Sequence, residues 1–171
     1  MNPGTDASLT PMADAGHIHI EGLGELQAIS APGVDETCWR TSFSYRDSGR
    51  EETSTAYIAA AGSAPPSDAL VAFAIGVLKD IDAHLRSARD FLVEQIRQDP
   101  GAYGLDAPRD RRALDSIAQR QPFDSPEPTF YAPGEWQLRF ASTTLPESPL
   151  GVVVEFRDDE PIAAENLHAD N

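Results

Sequence analysis

Four places in this 171-residue chain put chemically capable side chains at workable spacings. His17 and His19 alternate on a candidate strand, so both imidazoles face one way and could share a metal ion, with Glu21 continuing the face. Two histidines and one carboxylate on an exposed edge fall short of a closed ligand set, and solvated side chains are the simpler expectation. Asp80 and His84 stand one helical turn apart, a spacing that suits a carboxylate–imidazole hydrogen bond or a metal, and otherwise a surface pair that supports the helix. Glu155, Asp158, Asp159 and Glu160 bring carboxylates close together. Two carboxylates held across a cleft can run glycoside hydrolysis, but three of these are consecutive in "RDDEP" and should splay into water. Arg109, Arg111, Arg112 and Arg120 make a small basic patch, which Asp110 and Asp115 largely neutralise.

Nucleophiles are no better supported. Ser48-Gly49 lacks the Gly-x-Ser-x-Gly elbow. Cys38 is the single cysteine, which excludes an intrachain disulfide and a cysteine-built zinc site, and its place beside Trp39 on a strand suits inert packing. "GLGEL" has the wrong spacing for a phosphate loop and no helix after it. The residues therefore predict no catalytic centre, no cofactor and no metal.

Charge is more informative. The chain carries a formal net charge of −15, unevenly spread. Residues 1–85 hold 12 acids against 4 bases, residues 86–120 hold 6 against 7, and residues 121–171 hold 10 against 2. Such a field repels nucleic acid and anionic membrane, and speeds encounter with a basic protein. A hydrophobic content of 40% suits a globular domain, and no apolar run is long enough to span a membrane. The first residues show neither the basic nor the apolar region of a secretory signal, so a reduced cytoplasmic protein is expected.

The elements that must position these residues follow from periodicity. Residues 1–16 read as a mobile N-terminal arm, 17–162 as one domain and 163–171 as a polar tail. Ile18 and Ile20, then Leu26 and Ile29, then Trp39, Thr41, Phe43 and Tyr45, then "ETSTAYIAAA" form an antiparallel meander, with a turn at "RDSGRE". Ser67 caps a long helix running to Gln98, with an apolar stripe through Val71, Ala74, Leu78, Ile81, Leu85, Ala88 and Leu92. "DPG" ends it. A shorter helix starts at Asp106, with Pro108 in its first turn, and buries Leu114 and Ile117; "QPFDSPEP" is a loop. Finally, "GEWQLRF" and "LGVVVEF" alternate as a hairpin. The expected fold is α+β: an antiparallel sheet built from N- and C-terminal strands, packed on one long helix plus one short helix.

The order of a meander, the helix "ALVAFAIGVLKDIDAHLRSARDFLVEQI", a short helix, "GEWQLRF" and "LGVVVEF" resembles a group of small bacterial proteins known as domains of unknown function. Some of these stand beside polymorphic-toxin genes as presumed immunity proteins. The resemblance covers residues 22–160 and implies binding to a toxin domain. Where that group has a Gly-His pair at the start of the last strand, this chain reads Leu150-Gly151-Val152, so no site residue carries over. Charge and resemblance together predict an acidic, non-enzymatic protein-binding domain, of the immunity type, that neutralises a basic toxin domain. Its contact surface would comprise Tyr131, Glu135, Trp136, Glu147, Glu155, Asp158, Asp159 and Glu160. The alternative is a small enzyme or accessory protein whose site is not evident in sequence.

Overall fold

The computed structural model describes residues 16–30, 36–62, 64–106, 108–145 and 148–167. The arm expected over residues 1–16 lies outside them except for Gly16, as do residues 168–171 of the expected tail.

Alternating residues build eight strands into one sheet, in chain order from β1 to β8. The first meander consists of β1 (His17–Ile20), β2 (Gly24–Ser30), β3 (Glu36–Asp47) and β4 (Arg50–Ala61). Its longest hairpin turns at Ser48 and Gly49, both at positive φ, as a two-residue turn between twisted strands requires. The second meander consists of β5 (Phe123–Ala132), β6 (Glu135–Thr143), β7 (Val152–Arg157) and β8 (Glu160–Asn166). Helices α1 (Asp68–Lys79), α2 (Ile81–Gln98) and α3 (Arg111–Arg120) lie between the meanders. Parallel neighbours need a crossover connection, and the helices between β4 and β5 supply one. β5 accordingly pairs with β4 in parallel, Tyr57 opposite Thr129 and Ile58 opposite Phe130.

The α+β class stands, but the expected arrangement does not. The sheet is mixed rather than antiparallel, and no single long helix crosses it. The apolar stripe is real: Val71, Ala74, Ile81, Leu85, Ala88 and Leu92 are all buried. It is divided at Asp80, whose backbone leaves the helical region and whose N–H closes α1 on Val77 O at 3.1 Å. An apolar stripe records which face is buried and is blind to a turn that keeps the face in phase. The Ser67 cap holds, its hydroxyl accepting from the Leu70 N–H at 3.3 Å. Beyond α2, Asp99 caps a short 3-10 turn at Pro100–Tyr103.

Three boundaries move as well. α3 starts after Asp110 instead of Asp106, and the Asp110 carboxylate accepts the Asp106 N–H of the preceding turn rather than an N–H of the helix. "QPFDSPEP" is no loop past Gln121-Pro122, since Phe123–Pro128 is the first half of β5. Its prolines are tolerated because the ladder to β4 is confined to Thr129 and Phe130, leaving one side of that half without a partner strand. β8 runs on through Asn166, into the stretch expected to be tail, and the Asn166 amide donates to Ala102 O at 3.1 Å.

The helices and the inward sheet face share one core. One register row crosses it: Ala28, Trp39, Ile58, Phe130, Trp136, Phe156 and Pro161, one residue from each of β2 to β8. Trp136 stacks on Phe156 at 4.2 Å and on Phe130 at 5.7 Å. Arg89 of α2 clamps the sheet's far end, pairing with Asp47 at 3.0 Å and donating to Phe123 O at 3.1 Å.

Candidate interaction surface

The neighbouring register row points the other way. It runs His17, Gln27, Arg40, Tyr57, Thr129, Gln137, Glu155 and Ala163, one residue from each of the eight strands. Among the described residues, no helix lies on this face. Period-two alternation produces it directly, since each residue that points away from the core stands on it.

A shallow depression of about 290 Å³ lies at its β5–β8 end, lined by Tyr131, Glu135, Gln137, Glu155, Arg157 and Ile162 and bordered by Trp136 and Phe156, whose rings lie in the core. Tyr131 and Ile162 are each about half exposed, at 50% and 48%. Burial pushes the Tyr131 phenol up, with smaller contributions from Cys38 in its ionised form and from Glu155 and Glu36. Arg139 bonds Glu127 at 3.1 Å and Leu150 O at 2.8 Å, which neutralises that neighbour. Among the described residues, neither Glu135 nor Glu155 joins an ion pair.

The residues expected to form one contact surface therefore divide. Tyr131, Glu135 and Glu155 come together around the depression. Trp136 does not present a contact: its side chain is 2% exposed on the opposite face, because even-numbered residues of β6 point into the core. Its indole N–H donates to Asp158 O at 2.8 Å. Glu147 lies outside the described residues. Asp158, Asp159 and Glu160 are exposed at the β7–β8 turn beside the depression. Asp158 is nevertheless held firmly, with its N–H on Gly134 O at 2.8 Å and its φ at 53°. Asp159 leans toward the helices, its Oδ1 lying 3.8 Å from Nε2 of His84.

His84 is the residue that the sequence reading misplaced. It is buried rather than part of a surface pair, edge-on to Trp136 at 5.2 Å and to Phe156 at 5.9 Å. Desolvation holds its pKa below the ordinary value, and the negative charges of Asp159 and Asp80 partly offset this. The signal was available: residue 84 lies three after Ile81 and four before Ala88, on the buried stripe itself.

The other candidates stay dispersed. His19 bonds Glu25 across the strands at 3.2 Å, both side chains exposed. Among the described residues no group of three His, Cys, Asp or Glu could hold a metal ion. Burial raises the Cys38 thiol, the opposite of nucleophile activation. Arg109 is engaged by Asp110 at 3.2 Å. No helix among the described residues is long and apolar enough to cross a membrane. Comparison with family models, with curated proteins and with solved structures gave no match.

Proposed function

We propose that this chain is an acidic protein-binding domain of the immunity type, acting in the cytoplasm, which neutralises a basic toxin domain by docking it on the open sheet face. The observation that carries the reading is the depression on the β5–β8 face, where half-exposed Tyr131 and Ile162 sit among Glu135 and Glu155. Apolar and aromatic anchors at the centre of an interface supply affinity, and a charged rim supplies encounter rate. Glu135 and Glu155 at the depression and exposed Asp158, Asp159 and Glu160 at the adjoining turn outnumber Arg157 and give the rim its sign. A rigid sheet also presents these side chains with little ordering cost on binding.

The test is co-purification with the product of the adjacent gene, followed by binding kinetics. Tyr131→Asp combined with Ile162→Asp should raise the dissociation rate at least about tenfold, the scale of losing one anchor, while the free domain keeps its melting temperature. A bound partner that dissociates at the same rate from this variant would contradict docking on this face.

A further inference from the structure

The acidic turn beside the docking face is connected to the core by three contacts around one histidine. The Asp158 N–H donates to Gly134 O, and the Asp158 carbonyl accepts from the Trp136 indole. The Trp136 ring lies edge-on to His84, and His84 Nε2 faces Asp159 Oδ1 at 3.8 Å, too far for a hydrogen bond and close enough for an ion pair. His84 is 7% exposed, while the Asp159 side chain is 85% exposed, so one partner is fixed and the other is free to move. The charged groups facing His84 are Asp159 from the turn and Asp80 from the start of α2. β6 and β7 present only the rings of Trp136 and Phe156 to it.

We propose that His84 is a proton-operated latch on the β7–β8 turn: a proton taken from water at the turn converts its contact with Asp159 into an ion pair, draws that carboxylate inward and cancels one acidic charge beside the docking face. The neutral ring leaves Asp159 in solvent, available to a basic partner. The charged ring, packed at right angles to the stacked rings of Trp136 and Phe156, has Asp159 as its mobile counter-charge, so closure of the short gap is the response open to the turn. The latch itself is independent of any partner. Its consequence for binding rests on the proposed function: association with a basic protein should weaken in acid.

The experiment is a nuclear magnetic resonance titration of the free, full chain from about pH 8 to pH 5, above the ordinary aspartate range. It follows the His84 ring, the Trp136 indole N–H and the Asp159 amide. One shared inflection is expected, below the ordinary histidine value. In Asp159→Asn, whose exposed side chain can be replaced without disturbing the core, the His84 inflection should move to lower pH and the residue 159 amide should stop following it. His84→Gln should remove the inflection from both remaining probes. An unchanged His84 inflection in Asp159→Asn, or a residue 159 amide that still follows the ring, overturns the latch. The association rate with the co-purified partner is then measured over the same range. A rate that falls severalfold through the same inflection, and does not fall in Asp159→Asn, supports the regulatory role. A rate indifferent to pH overturns that role while leaving the latch seen in the free protein intact.

Discussion

The two faces of the sheet are built by the same strands and differ in every physical respect. On the inner row Trp39, Ile58, Phe130, Trp136 and Phe156 are between 0% and 4% exposed, and Trp136 stacks on both Phe130 and Phe156. One residue along each strand, Arg40, Tyr57, Thr129, Gln137 and Glu155 stand on the other face, half-buried or exposed and, among the described residues, without a helix over them. The inner face is determined by burial, where a lost side chain leaves a cavity. Apart from Val153, which is 4% exposed, the outer face is less constrained by packing, so its composition is open to selection for something else. An exposed tyrosine and isoleucine among unpaired glutamates are what packing does not require.

Substitutions should separate the faces by size of effect. Trp136→Ala removes the indole shared by Phe156, Phe130 and His84, together with the bond to Asp158, and should cost about 3–5 kcal/mol by denaturant melt. Leu85→Ala, at 1% exposure in the middle of α2, should cost about 2–5 kcal/mol in the same assay. A melt matching the parent would remove the claim that the helices and inner row form one core. Gly151→Ala tests the boundary between the two hairpin strands. Gly151 has φ +90°, and an added Cβ would stand 2.1 Å from Phe140 O, so the loop must shift. A loss of at least about 2 kcal/mol is expected from strain at that φ plus the clash.

Acid should act through the inner face by a smaller amount. The folded state keeps His84 neutral below the pH at which the unfolded chain takes up its proton. The unfolded state therefore binds more protons as pH falls past the ordinary histidine value near 6.5, and stability falls with it. The contribution is complete above that value and lost toward the lower folded one. His84→Gln should flatten this part of a stability-against-pH curve, and an equal slope in both proteins would contradict burial of the ring. The smallest effect on stability belongs to the outer face: reversing Glu135 and Glu155 should change it by less than about 0.5 kcal/mol.

Much of this was legible in sequence. Period-two alternation marks β3, β4, β6 and β7 and the sense of their faces, and the Ser67 cap and the Asp99-Pro100 stop bound the helical region. Two kinds of feature were hidden. The break at Asp80 preserves the phase of the buried stripe, so Ile81 and Leu85 continue a pattern begun by Val71 and Ala74 across a change of helix. Strand β5 was masked by Pro126 and Pro128, whose tolerance depends on where β4 stops pairing, which is a tertiary fact. The site was half visible. Tyr131, Glu135 and Glu155 converge because they have outward parity on adjacent strands. The same rule, applied to Trp136, places it in the core. His84 looked like a surface residue because polarity was given more weight than position on the stripe.

The proposed partner is a basic protein, met by the acidic groups of the outer face. The direct measurement is the association rate with the co-purified partner in low and physiological salt, for the parent and for Glu135→Lys, Glu155→Lys, Glu160→Lys together. Asp158 is left alone because its left-handed backbone and its bond to Gly134 would confuse charge with strain. At physiological salt exposed charges are screened beyond about 8 Å. The parent should therefore associate severalfold more slowly as salt rises, and the triple variant should associate slowly in both, with an unchanged melting temperature. A partner that binds both proteins at one rate, whatever the salt, would contradict the claim and leave the acidity to solubility alone.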